Sequence, residues 1–154
     1  MLSAQTREEN TLRAANALFA LADNAEDMAQ LTPEQIGNAI YPVSYWRSKV
    51  AYVQDIAQNV AANNGEVPQT VEALMAYKGV GWKVAVLTLA IGYDIHDDIT
   101  VDVHVARISK RLGFIEPDIK QPPKINDALK AVMPRDLWRH WNDLMVRLGR
   151  NVRL

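Results

Sequence analysis

The residues best suited to chemistry form one short run, Lys78-Gly79-Val80-Gly81-Trp82-Lys83, at the start of an almost wholly apolar stretch. From Trp82 to Gly92 the chain reads WKVAVLTLAIG, and Lys83 is its only ionisable residue. A Gly-x-Gly turn opening into a helix presents backbone N–H groups at the positive end of the helix dipole, which makes a site for a phosphate. A helix that is apolar all round is ordinarily buried, and a charge in its first turn is costly to keep there without a use. The run therefore predicts Lys83 beside a bound phosphate in a poorly solvated pocket. Burial and a nearby helix N-terminus both disfavour the ammonium, and a neutral amine is a nucleophile. The competing reading is a lysine whose stem packs and whose head reaches solvent.

Asp102 follows 19 residues after Lys83, where it suits the N-cap of a helix from Val103 to Leu112. Other reactive groups lack partners at useful spacings. His96, His104 and His140 are not spaced as metal ligands, and Ser44 and Ser109 have no triad context. The absence of cysteine excludes disulfides, thiolate metal sites, cysteine-ligated clusters and cysteine nucleophiles in this chain. Asp94, Asp97 and Asp98 read as a solvated acidic loop.

The elements that must position these residues are helical, and no convincing period-two strand is present, so the chain reads as all-α. Thr6 and Glu9 form a capping-box pattern opening a first helix, and Thr32-Pro33-Glu34-Gln35 forms a second with proline at the first helical position. Residues 46–63 predict a long helix with Val50, Val53, Ala57 and Val60 on one face, closed by Asn63-Asn64-Gly65. Short helices are expected from about Ala25 and over Val71 to Tyr77. The glycine run then joins Val71–Tyr77 to a helix ending at Gly92, which is a helix-hairpin-helix. A helix after Pro122-Pro123 and a final amphipathic helix from about Arg135 to Leu148 complete the chain.

With 154 residues, 49% apolar and 23% charged, the composition fits one domain, or two lobes sharing a core. No stretch approaches the roughly 20 apolar residues of a membrane span, and MLSAQTREEN lacks the basic start and apolar core of a signal peptide. A cytoplasmic protein without a membrane partner is expected. The net charge of −1 conceals an asymmetry. Residues 1–103 hold 6 Lys and Arg against 13 Asp and Glu, a balance of −7, whereas residues 104–154 hold 11 against 5, a balance of +6. A basic C-terminal third suits a polyanion, although on charge alone solvated helix faces explain it as well.

Several motifs then occur in order: LSAQT at 2–6, SYWRSK at 44–49, NNGEVP at 63–68, GVGWKVA at 79–85 and VDVHVARISKRLGF at 101–114. Together they resemble the helix-hairpin-helix (HhH-GPD) DNA glycosylases, most closely the endonuclease III branch, over nearly the whole chain. The resemblance implies that residues 6–115 form a helical core with its hairpin at 77–83. Residues 116–154 would form a reduced second lobe packed with the N-terminal residues. It implies a glycosylase with AP lyase activity on damaged or mismatched pyrimidines in double-stranded DNA. Lys83 would attack C1′ to form a Schiff base, and β-elimination would cut the strand. Asp102 would stabilise positive charge at the sugar and manage protons, a role compatible with capping. Such enzymes flip the target nucleotide and must fill the gap. Gln5 matches the position that enters the vacated stack, and Val43 and Tyr45 fall on the loop wedging the other side, where core packing is an equal alternative. Gly79, Val80 and Gly81 would grip DNA phosphate. Trp82 would border the lesion pocket unless it is buried packing, and His104 would support the site or bond structurally.

Three departures stand out. The branch commonly carries an iron–sulfur cluster on four cysteines, and LGRNVRL puts Arg153 where the first would fall. Met1-Leu2 lies within what resembles a family helix, so a preceding segment is expected to be missing. Tyr77-Lys78 also replaces Leu-Pro before the first hairpin glycine. The expectation is a monomer, nucleoid-associated, without a cofactor, its hairpin open to a monovalent cation. A non-catalytic DNA-binding module or truncated inactive homologue is the alternative, and a purely structural helical domain a third reading.

Overall fold

The computed structural model describes residues 1–151, and among these the regular structure is helical throughout, with nine helices and no strand. Arg153 lies outside the described residues. Contacts divide the chain into two compact units, one spanning Met1–Val80 and the other beginning at Gly81. Within the second unit the helix after Asp102 packs with the last helix, and both share a core with the helix between them.

The first unit holds α1 (Glu8–Leu21), α2 (Ala25–Gln30), α3 (Pro33–Ile40), α4 (Trp46–Ala62) and α5 (Val71–Met75). The long α4 packs against α2 and α3, and α1 packs against α3. Val50, Val53, Ala57 and Val60 recur at helical spacing and are buried, the first three joining Leu18, Met28, Ile36 and Ile40 in one core. The α3 box forms as its sequence requires: Gln35 N–H donates to Thr32 Oγ1 at 3.2 Å, and Thr32 N–H donates to Gln35 Oε1 at 2.8 Å. The Thr6 box does not form. Arg7 occupies the α1 cap without a side-chain bond, because the Thr6 hydroxyl is engaged by Ser44 and Lys49 instead.

The second unit holds α6 (Trp82–Tyr93), α7 (Val103–Arg111), α8 (Pro122–Val132) and α9 (Arg135–Asn151). Here α7 packs on α9 and α6 on α8, around a core that includes Ile99, Val105, Ile108, Ile125, Leu129 and Trp141. Gly92 does not end α6, which runs on to Tyr93 and stops where Asp94 turns left-handed at φ 54°. Nor is α6 enclosed all round. Only Ala85, Val86 and Leu89 are fully buried, and Ile91 is 82% exposed. An apolar sequence permits burial on every face, but only packed neighbours supply it.

The acidic loop is also more ordered than its composition suggests. Buried Asn126 accepts Ile99 N–H at 2.8 Å and donates to Asp98 at 2.9 Å, and Lys130 adds a 2.9 Å ion pair to Asp98. Asp97 pairs with Arg135, and Asp94 with Arg139 and His96. Asp94 is held below the usual carboxylate range by the His96 hydrogen bond first and Arg139 second. Among the described residues no helix is long and apolar enough to cross a membrane.

Candidate functional site

The hairpin is shaped by α4. Gly79 takes φ 76°, and a Cβ there would overlap the Tyr52 ring, whose Cγ would lie at 2.7 Å. Glycine is therefore required twice, for the backbone and for the space. Val80 N–H closes the turn on Tyr77 C=O at 3.2 Å. Asp55 accepts Lys78 N–H at 3.0 Å and pairs with the Lys78 ammonium at 3.2 Å. The backbone bond is the leading cause that holds the Asp55 carboxyl below its ordinary range, and the lysine ammonium adds to it. Proline, which the family commonly has before this glycine, has no N–H, so Lys78 brings an anchor of its own. Gly81 caps α6 in an extended conformation, and nothing within 4 Å would meet a Cβ there.

Lys83 is the second residue of α6, at the positive end of its dipole. It is exposed and has no ion pair or hydrogen bond to the protein among the described residues. Among the described residues Lys83 is therefore exposed rather than set in the poorly solvated pocket predicted from the sequence, and the faces of α6 beyond Ala85, Val86 and Leu89 are not fully covered. Trp82 is half-buried, and its indole N–H is enclosed without a partner among the described residues. Indole N–H groups usually find one when buried.

Asp102 is the N-cap of α7. Its Oδ1 accepts His104 N–H and Val105 N–H, both at 2.9 Å, and Oδ2 takes neither bond. The capping role is present, and it leaves one oxygen over. His104 is half-buried on α9: a Cβ on Gly149 would strike its ring, with Cγ at 3.0 Å. Gly149 is therefore a close-approach glycine that sets where this ring lies.

In the first unit, Gln5 and Tyr45 are both exposed, and both have φ 56°. The left-handed region costs roughly 1–2 kcal/mol for a residue with a side chain of this kind. The segments that carry them are joined by Ser44 N–H donating to Thr6 Oγ1 at 3.1 Å. Val43 is 2% exposed and belongs to the α1–α4 core, which is the packing alternative held open for it in the sequence.

Two residues were missed by sequence reasoning. Lys49 is 5% exposed and donates to Leu2 C=O, Ala4 C=O and Thr6 Oγ1 at 2.9, 2.8 and 3.3 Å. Desolvation lowers its pKa below the ordinary lysine value. Its signal was a lysine on the apolar register of α4, one residue before Val50. Asp55, which anchors Lys78, had no signal in the sequence.

Comparison with known proteins gives this arrangement its class. Residues 1–135 match the HhH-GPD superfamily of base excision DNA repair proteins, and the chain belongs to that superfamily. Endonuclease III of Thermotoga maritima is 34% identical over 99% of this chain and 70% of its own length. Endonuclease III-like protein 1 of Gallus gallus is 36% identical over 97% of this chain. The chain spans about half the length of that relative, 53%. A solved structure titled as a trapped endonuclease III–DNA covalent intermediate, an estranged-adenine complex, matches with a TM-score of 0.87 at 29% identity. The match covers 97% of this chain and 70% of that one. An iron–sulfur cluster of the cysteine-ligated kind does not fit these residues. No cysteine occurs in the chain, and no group of three or more His, Asp or Glu gathers for a metal among the described residues.

Proposed function

We propose that the chain is a DNA glycosylase with associated AP lyase activity, acting as a monomer on damaged or mismatched pyrimidines in duplex DNA. The observation that carries this reading is Lys83: an exposed amine, unpaired among the described residues, in the first turn of α6, directly after the Gly79-Val80-Gly81 turn. The related solved structure, a trapped covalent endonuclease III–DNA intermediate, supports it.

In this reading the Gly81 end of the hairpin meets a phosphate with its backbone N–H groups. Closing a duplex over Lys83 removes the water that the free protein leaves around it, which favours the neutral amine. The Nζ lone pair attacks C1′ as the C1′–N bond to the base breaks, and the base leaves with a proton. Asp102, through the oxygen not committed to its cap, balances the positive charge on the sugar and shuttles protons. Ring opening gives the Schiff base. Loss of a C2′ proton then expels the 3′ phosphate by β-elimination, and water releases the lysine. Gln5 and Tyr45 enter the stack vacated by the flipped nucleotide.

Borohydride reduction on abasic-site duplex is the test. The full chain is expected to yield a covalent complex, and Lys83→Gln none. Salt-dependent binding without any trapped complex would instead identify a non-catalytic DNA-binding module.

A further inference from the structure

The apolar face of α4 begins with a cation. Lys49 shares its register with Val50 and Val53 and is as buried as they are. A buried ammonium must place its three protons on protein acceptors. All three acceptors lie in one five-residue stretch: Leu2 C=O, Ala4 C=O and Thr6 Oγ1. The bonds at Ala4 and Thr6 bracket Gln5. The same Thr6 oxygen receives Ser44 N–H, which immediately precedes Tyr45, and Lys49 N–H itself closes on Tyr45 C=O at 3.2 Å.

The two residues so bracketed share an unusual backbone. Four residues other than glycine have positive φ among those described: Gln5, Tyr45, Asn64 and Asp94. Asn and Asp tolerate that region, whereas Gln and Tyr do not favour it. Neither Gln5 nor Tyr45 is enclosed, and Tyr45 caps α4 without a side-chain bond. Strained backbone persists where surrounding structure over-determines it. Here that structure converges on one nitrogen. A compact ammonium offers three rotatable donors from a single point, whereas a planar guanidinium forms a fixed fork.

We infer that Lys49 is a positioning residue that holds Gln5 and Tyr45 in the left-handed conformations from which both enter a duplex. It acts through the backbone, without touching DNA. The inference rests on the proposed role of Gln5 and Tyr45 as the filling residues. Without the ammonium the two segments populate other conformers, and apparent affinity falls by the fraction that remains competent.

The experiment uses the full chain with a duplex carrying a tetrahydrofuran abasic analogue opposite 2-aminopurine, whose fluorescence rises when it is unstacked. In parallel, borohydride trapping is run on an aldehydic abasic site in single-stranded DNA, which needs no insertion. Lys49→Met is expected to weaken the fluorescence response about tenfold in protein concentration. Trapping falls much less, and Lys49→Arg recovers part of the response. Thermal melting reports whether Lys49→Met folds. If it does not, Thr6→Val, which removes only the shared hydroxyl, is expected to shift the response in the same direction. Wild-type fluorescence from folded Lys49→Met, or from Thr6→Val where Lys49→Met does not fold, overturns the inference while leaving the filling role of Gln5 and Tyr45 standing. Equal losses in duplex response and single-strand trapping also overturn it, because the defect is then general. A wild-type protein that gives no rise, matched by Gln5→Ala and Tyr45→Ala, removes the filling role and the inference together.

Discussion

Asp102 commits one carboxylate oxygen to two backbone N–H groups of its own helix and keeps the other out of the cap. An aspartate used only as a cap is replaceable by asparagine at little cost, since both rank highly at that position. Asp102→Asn therefore separates the two roles. Base excision is expected to fall by about 100- to 10,000-fold, the range of a lost general acid or base, with duplex affinity changed by less than about threefold. Parallel losses in a gel-shift titration and an excision assay would reduce Asp102 to a cap. His104 is expected to respond to its packing rather than to DNA. Gly149→Ala should displace the ring and lower stability by about 1–3 kcal/mol, read by urea denaturation.

The hairpin is a joint product of α4 and its own glycines. Gly79→Ala meets both the positive φ and the Tyr52 ring, so a loss of about 2 kcal/mol or more is expected in chemical denaturation. Asp55 makes this anchor sensitive to acid. Its folded pKa lies below the ordinary aspartate value, so the unfolded chain binds its proton more readily. The stabilisation is complete above the ordinary value near 4 and is lost as pH falls through the lower folded one. Asp55→Asn should flatten this part of the acid limb when unfolding free energy is followed from about pH 6 to pH 2; an unchanged slope would reject the anchor. The helices themselves were legible in the sequence because their signals are local. The α3 box, the α4 stripe and the Asp102 cap follow from residues a turn apart. Long-range bonds were not legible. Thr6 has the spacing of a cap, but its hydroxyl oxygen accepts from partners about 40 residues away, and the burial of Val43, for which wedge and core packing were equal readings, depends on neighbours remote in the chain. The exposure of Lys83 was hidden for the same reason: a run of apolar residues does not say which of its faces acquires neighbours.

For the molecule as a whole, the balance of −7 over residues 1–103 against +6 over the remainder is partly cancelled where the acidic loop meets α8 and α9. Lys130, Arg135 and Arg139 are occupied there, so fewer positive charges are available to phosphate than a count suggests. Affinity for undamaged duplex should therefore fall with salt at a modest logarithmic slope, about −2 to −4, measurable by fluorescence anisotropy. A slope near zero would argue against a phosphate-gripping surface. The four tryptophans offer an optical view of the same event. Trp138 and Trp141 donate their N–H groups to Met133 C=O and Ser109 Oγ, and Trp46 lies between Tyr41 and Arg47. Trp82, with its N–H enclosed and unbonded among the described residues, sits one residue from Lys83. Its emission is expected at shorter wavelength than that of a hydrated indole and should change when a nucleotide reaches Lys83. On the proposed role of Lys83, Trp82 emission is a label-free readout of nucleotide arrival, and Trp82→Phe is the variant expected to abolish it.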